Sequence, residues 1–231
     1  MAKILAIVSG GLDSVTLAHS LRDYGHKVAI ISFNYGQRHV KELHFAEICA
    51  RDIDGIHEIV DMRPLLQVFS GSSLTSESIE VPDGHYAAES MKLTVVPNRN
   101  AIMLNIACAF GISRGFDQIA IGVHGGDHYI YPDCRPNFIK SQKDTLKLAN
   151  EGFLSDDFDL ISPFIDIDKA GIVEIGDRIG VQWENTWSCY KGGEIHCGSC
   201  GTCFERREAF AIAGVHDPTS YASTPDFADP R

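Results

Sequence analysis

Four cysteines crowd one stretch of the chain: Cys189, Cys197, Cys200 and Cys203, in "SCYKGGEIHCGSCGTCF". Four thiolates satisfy a tetrahedral Zn²⁺ completely and leave no position open for water, which makes such a site structural. Unlinked thiols, two disulfides or an iron–sulfur cluster are the other uses of four cysteines at this spacing. His196, beside Cys197, is either a substitute ligand or a neighbour of the site. The other cysteines, Cys49, Cys108 and Cys134, are scattered.

A second chemical feature lies near the start, in "IVSGGLDSVTLAHSL". An apolar run breaks into Gly10 and Gly11 between Ser9 and Asp13, then resumes with helix-like spacing. A glycine-rich turn between a strand and a helix leaves backbone N–H groups free at a helix start, where an anion is favoured. Tight packing alone is the plain alternative. Ser9 and Ser14 add hydroxyls, and the glycines let backbone approach a ligand closely. The lysine of the common nucleotide loop, G-x-x-x-x-G-K-[ST], is missing.

Three further segments carry candidate groups. "GVHGGDHYIYPDCRP" holds Asp127, Asp133 and Arg135, and reads as polar surface, a second metal site or a substrate loop. A carboxylate accepting from a guanidine-like base edge, with an Arg pairing a substrate carboxylate, would suit a purine-like acid. "TVVPNRNAIML" puts Arg99 at the start of an apolar helix, either solvated behind an Asn98 cap or adding its charge to the helix dipole. In "FNYGQRH", Tyr35 is a core residue or flanks a base; Trp183 and Trp187 read as packing.

The elements that must position these groups follow from hydropathy. Residues 3–8, 28–33, 56–60 and 117–122 read as strands with continuous apolar runs, which suits parallel strands covered on both faces. Helices are expected over 14–23, 40–53, 98–113, 136–150 and 169–179, with "DLISPF" as a last strand. Residues 70–96 form a long polar excursion and a candidate lid, and "TSYASTPDFADPR" reads as a loosely ordered tail. The alternation predicts a Rossmann-like α/β fold with an open, mostly parallel sheet and helices on both faces, plus a small C-terminal zinc-binding subregion. Ligands sit beyond the carboxyl ends of such strands, so the loops at 9–14, 33–37 and 122–135 should converge. The expected division is 1–182 for the α/β unit and 183–231 for the cysteine segment, helix and tail.

The chain has 231 residues and a formal charge of −11, which argues against a protein whose main work is to cover nucleic acid. No run is long enough to span a bilayer and the opening residues lack a signal-peptide cleavage site, so a cytoplasmic protein is expected.

The six residues SGGLDS resemble the SGGxDS signature of the ATP pyrophosphatases, or PP-loop enzymes, of adenine nucleotide alpha hydrolase-like fold. Taken in order, SGGLDS, FNYGQRH, SSLT, VPNRN, YPDCR and the cysteine cluster span nearly the whole chain and resemble the 7-cyano-7-deazaguanine synthase family. The resemblance implies a ligase that activates 7-carboxy-7-deazaguanine by AMP transfer from ATP. Ammonia then gives the amide, and a second adenylation and dehydration give the nitrile, with AMP and pyrophosphate released. It implies a nucleotide loop over Val8, Ser9, Gly10, Gly11, Leu12, Asp13, Ser14, Val15, Thr16, Leu17 and Ala18, with Asp13 placing Mg²⁺ or ordering the loop. It further implies one structural Zn²⁺ on Cys189, Cys197, Cys200 and Cys203, a substrate pocket with Arg99, Asp127, Asp133 and Arg135, catalytic roles for Asp13, Asp127, Asp133 and Arg135, and a homodimer.

The family form "PGRN" is here "PNRN", and "GVxxTDxSGYPDCR" is here "GVHGGDHYIYPDCR". A relative stopping at the amide, or a tRNA thiolase using Cys108 or Cys134, are the rival enzymes. A zinc module that recruits a protein or nucleic acid would explain the cysteines alone.

Overall fold

The computed structural model describes residues 1–227. Five strands form one sheet: β1 (Lys3–Ile7), β2 (Lys27–Asn34), β3 (His57–Asp61), β4 (Gln118–Ala120) and β5 (Asp159–Ile161). Their order is β3-β2-β1-β4-β5 and every neighbouring pair is parallel. The helices are α1 (Leu12–Asp23), α2 (Glu42–Asp52), α3 (Arg99–Arg114), α4 (Pro136–Ala149), α5 (Lys169–Arg178) and α6 (Gly201–Ala213). The expected doubly covered parallel sheet is therefore present.

The two-residue period of the strands divides the core. Leu5, Ala29, Ile31 and Phe33 point to one face, where Met103, Leu104 and Ala107 of α3 and Ile139 and Leu146 of α4 cover them. Ile4, Ala6, Val28 and Ile30 point to the other, under Leu12 and Val15 of α1, Ala46 and Cys49 of α2, Ile172 and Val173 of α5 and Phe210 of α6. Apolar residues on both faces explain why the strands read as unbroken runs. At the edge, β3 has mostly exposed or half-buried residues.

Two expectations are corrected. Residues 70–96 are not a loose lid: Ser72, Ser73, Leu74, Tyr86, Met91 and Thr94 are buried, and a 3-10 helix runs over Glu89–Thr94. Several of their polar groups find partners inside the protein, as where the Thr94 hydroxyl donates to the Met91 carbonyl at 2.7 Å and the Tyr86 hydroxyl to Asp127 at 2.9 Å, so polar composition did not mean exposure. Nor is the tail loose over its described part. The Ala222 N–H donates to the His196 carbonyl at 2.8 Å, Ser223 N–H to the Cys197 carbonyl at 3.2 Å, and Arg207 reaches the Pro225 carbonyl at 2.8 Å. It straps across the cysteine segment. Residues 228–231 of the expected tail lie outside the described residues.

Arg206 on α6 fastens that region. It is fully buried, and its guanidinium donates to Asp217 Oδ1 at 3.2 Å, Thr186 Oγ1 at 2.6 Å and the Trp183 carbonyl at 3.1 Å. Removing one partner of a buried ion pair leaves the other uncompensated. Arg206→Met is therefore expected to cost about 3–5 kcal/mol of stability, read from the urea midpoint. Arg206→Met/Asp217→Asn should recover part of the loss, and a single variant as stable as wild type would refute the latch.

Candidate functional site

The amino-terminal loop crosses from β1 to α1 at the centre of the sheet, beside the point where strand order reverses. Gly10 has φ of +100°, and a Cβ there would stand 2.0 Å from the Glu42 carbonyl oxygen. Only glycine lets the loop pass the first turn of α2 so closely. The loop's hydroxyls are tied to one another: Ser14 Oγ donates to the Gly11 carbonyl at 3.1 Å and accepts from Ser9 N–H at 3.2 Å, while Ser9 Oγ accepts from Gly11 N–H at 3.2 Å. The first-turn amides of α1 have no carbonyl a turn behind them, so they remain available to an anion.

A cavity of about 200 Å³ opens over this loop, at the carboxyl ends of β1, β2 and β4. Val8, Ser9, Gly11, Leu12, Asp13 and Ser14 line it, and so do Phe33 near the end of β2 and Tyr35 beyond it, Ile121 to Val123 beyond β4, and Arg99 and Asp127. The three expected loops converge. Gly10 faces α2 instead, and Val15, Thr16, Leu17 and Ala18 are buried in α1 on the core side.

Arg99 faces the cavity from the start of α3, with Nη1 3.3 Å from the Tyr35 hydroxyl. The preceding Asn98 holds a left-handed conformation, φ 60°, which Asn tolerates better than most residues. Asn where the family form has glycine thus keeps the turn. Asp133 and Arg135 do not line the cavity. Residues Pro132–Cys134 form a 3-10 turn that carries the Asp133 carboxylate to the N–H of Asn100, 3.2 Å away, where it caps α3 in place of Asn98. Arg135 is exposed and donates from Nε to the His128 carbonyl at 2.8 Å.

Several cavity groups escaped the sequence reading. The foremost is Lys169, first residue of α5, whose Nζ lies 3.3 Å from Asp13 Oδ2 and 2.5 Å from Glu205 Oε2. Burial by itself would lower its pKa, but the carboxylates of Asp13, Glu205 and Asp127 outweigh burial and raise it, so the ammonium stays charged. Asp127 likewise stays ionised: burial opposes this, but His124, Lys169 and a 2.9 Å hydrogen bond from the Tyr86 hydroxyl hold its pKa down.

The altered loop 122–135 has its own internal fit. His124 Nδ1 accepts from Gly126 N–H at 3.1 Å, and its Nε2 stands 3.4 Å from Asp127 Oδ1 and 3.8 Å from Asp13 Oδ2. A Cβ at position 126 would stand 2.9 Å from the His124 ring. The glycine where the family form has threonine makes room for this buried imidazole.

Across the cavity, His39 and Glu42 form a buried pair, Nε2 to Oε1 3.5 Å, with Gln37 Nε2 donating to Glu42 at 3.1 Å. Burial pushes the Glu42 carboxyl up to about 8, against the pull of Gln37 and Arg99. Burial, with Arg99 and Arg38, brings His39 down to about 3. A raised folded-state value means that Glu42's contribution is full below its ordinary 4.5 and is lost as pH rises toward 8. His39 acts oppositely, its contribution being lost as pH falls from 6.5 toward 3. Above pH 6.5 Glu42 acts alone of the two. Between there and pH 8, wild type should lose about 2 kcal/mol relative to Glu42→Gln, measured by urea unfolding. Parallel curves would contradict the buried acid.

The four-cysteine segment forms one wall. Trp187 lines the cavity and stacks on Phe45 at 5.7 Å between ring centres; its backbone N–H donates to the Gly10 carbonyl at 2.9 Å and its indole N–H to the Cys189 carbonyl at 2.9 Å. Trp183 packs in the core against Phe210, as expected. The ligand atoms of Cys189, Cys197, Cys200 and Cys203 all lie within 4.8 Å of one another, with Cys197 and Cys203 sulfurs 3.9 Å apart. Sulfurs at about 2.3 Å from one tetrahedral ion stand roughly 3.8 Å apart, so the cluster fits a metal. His196 does not substitute for a cysteine: its Nε2 accepts from Ser188 N–H at 3.0 Å, and its ring packs tilted against Trp187 and edge-on to Tyr221. Cys108 and Cys134 are buried, and burial pushes both thiols up, the opposite of what a sulfur carrier needs.

The profile of the family described as "Queuosine biosynthesis protein QueC" matches residues 3–214. The chain belongs to this family. A 7-cyano-7-deazaguanine synthase of Rhizobium johnstonii is 53% identical over 95% of this chain and 92% of its own. The synthase of the same name from Allorhizobium ampelinum is 52% identical over 97% and 94%. Among solved structures, a tRNA thiolase of Methanococcus maripaludis with its 4Fe–4S cluster shares the fold, at TM-score 0.52 and 17% identity. The match covers 91% of this chain and 65% of the thiolase. Among the described residues, no helix is long and apolar enough to cross a membrane.

Proposed function

We propose that this QueC-family chain is an ATP-dependent ligase that converts 7-carboxy-7-deazaguanine and ammonia to 7-cyano-7-deazaguanine. The observation that carries the site assignment is the convergence of the loop at 9–14, Lys169 and Arg99 on one cavity. The α1 amides and the Lys169 ammonium would receive the pyrophosphate of ATP, and Arg99 the substrate carboxylate, so that charge developing on the leaving pyrophosphate meets fixed donors. Asp13 and Asp127 face the same space and would repel phosphates unless a divalent cation lay between, which supports Mg²⁺ delivered with ATP. Enclosure by Tyr35, Tyr86 and Trp187 would keep water from an acyl adenylate, which hydrolyses readily.

For the cysteines we propose one Zn²⁺. Sulfurs this close suit a single ion, whereas a four-iron cube seats each thiolate on its own iron and spreads them. The ion would supply folding energy and no reaction step. The division into 1–182 and 183–231, a homodimer, cytoplasmic residence and the absence of a stable nucleic-acid partner belong to the same proposal, the last supported by the charge of −11.

The test mixes protein, 7-carboxy-7-deazaguanine, ammonium and Mg-ATP and follows deazaguanine masses and nucleotides by mass spectrometry. AMP with nitrile is expected. AMP with amide alone would mark an enzyme stopping after the first adenylation and implicate the loop around His124, and no AMP at all would overturn the substrate assignment.

A further inference from the structure

We infer that Glu205 is a positioning residue: it holds Lys169 at the loop, and the four-cysteine centre holds Glu205. Helix α6 begins on Cys200 as its N-cap and carries Cys203 in its first turn, so Glu205 follows two metal-ligand candidates on one rigid element. Its side chain is buried, with Oε2 2.5 Å from Lys169 Nζ. On the other side of that ammonium stands Asp13 Oδ2 at 3.3 Å, and the Tyr86 ring lies beneath it, 5.5 Å from the centre.

The chemistry of a lysine makes the second carboxylate matter. Its four-carbon stem is flexible, and fixing it costs rotamer entropy that a single partner repays poorly. With Asp13 alone, the ammonium would collapse onto the loop carboxylate. Between Asp13 and Glu205 it is held from two sides, and its third N–H is left for an anion in the cavity. The 125–129 turn closes the far side, since a Cβ at Gly126 would approach Glu205 Oε1 to 3.3 Å. The cysteine segment thereby reaches the loop twice, through Glu205–Lys169–Asp13 and through the Trp187 backbone N–H on the Gly10 carbonyl. The metal centre sets the nucleotide site as well as the local fold.

The inference rests on the ATP-loop reading only for its effect on nucleotide affinity, so the test has two readouts on the full-length, metal-loaded chain. The first is the acetylation rate of the Lys169 amine, followed by peptide mass spectrometry. The second is Mg-ATP affinity by calorimetry, with bound metal measured in every sample. Glu205→Gln should speed Lys169 acetylation and weaken Mg-ATP binding by roughly 10-fold each at unchanged metal content, the scale of a lost charge-assisted hydrogen bond. Glu208→Gln, the same charge change one turn-face away on α6, should do neither. Glu205→Asp, which retracts the carboxylate with little risk to folding, should fall between.

Lys169 acetylation unchanged in both Glu205 variants would overturn the inference, as would binding losses that simply add when Glu205→Gln is combined with Lys169→Met. If wild type fails to bind Mg-ATP, the proposed function falls, while the acetylation readout still decides the role of Glu205.

Discussion

Cys200→Ser is expected to release the metal and unravel the C-terminal segment. Cys200 is fully buried and caps α6, and its thiol is one of four that together fit a single ion. Structural zinc supplies on the order of 10 kcal/mol or more in finger peptides, comparable with the whole stability of an ordinary domain. Losing it leaves three unpaired thiols in a region whose own apolar cluster is small, built on Val81, Trp187 and the cysteines themselves. Hydrogen exchange should show α6 and the strap at 219–227 deprotected, metal content should fall from one per chain to none, and Mg-ATP binding should disappear with them. A Cys200→Ser chain retaining its metal and its protection would refute a four-thiolate centre.

The second large effect is kinetic. Lys169→Met is expected to lower the rate of AMP formation by about 10²–10³, the cost typical of removing one preorganised electrostatic contact to developing charge. Methionine keeps the length and removes the charge, leaving Asp13 and Glu205 without the cation between them. Lys169→Arg should recover part of the rate, because charge returns in a planar fork of different shape. The decisive outcome against the assignment is a folded Lys169→Met chain within threefold of wild type.

Much of this molecule was readable because its signals are local. A strand, two glycines, two serines and a helix follow each other without interruption, and the cysteine ligands fall within one short segment. The apolar runs marked β1, β2 and β4 to within a few residues, since burial on both faces leaves no polar alternation to mislead, and the edge strand β3 was marked by its Ile and Val alone. Polar composition was the weaker guide. Part of the 70–96 segment looked solvated and proved buried, and the described tail, though exposed, is tied down by backbone hydrogen bonds to the cysteine segment.

Lys169 and Glu205 gave no local sign of a role. A lysine opening a helix and a glutamate in the middle of another are ordinary solubilising residues by pattern, and only the packing of α5 beside α6 brings them together at the loop. One clue was available: Lys169 starts the helix that follows the last strand, and such helix starts lie at the carboxyl edge of a parallel sheet, where ligands bind.

By itself, then, the amino-acid sequence determined the parallel α/β architecture, the glycine-rich turn between β1 and α1 and the metal-fitting cysteines, each written in residues close together in the chain. Tertiary structure decided which charges share the cavity. It turned Asp133 into a helix cap and Arg135 outward, buried His124 where Gly126 leaves room, and set the Lys169 ammonium between two carboxylates. Those outcomes depend on ångström-scale distances between segments remote in the chain, and electrostatic energy varies with distance and burial, neither of which a residue's neighbours in sequence reveal.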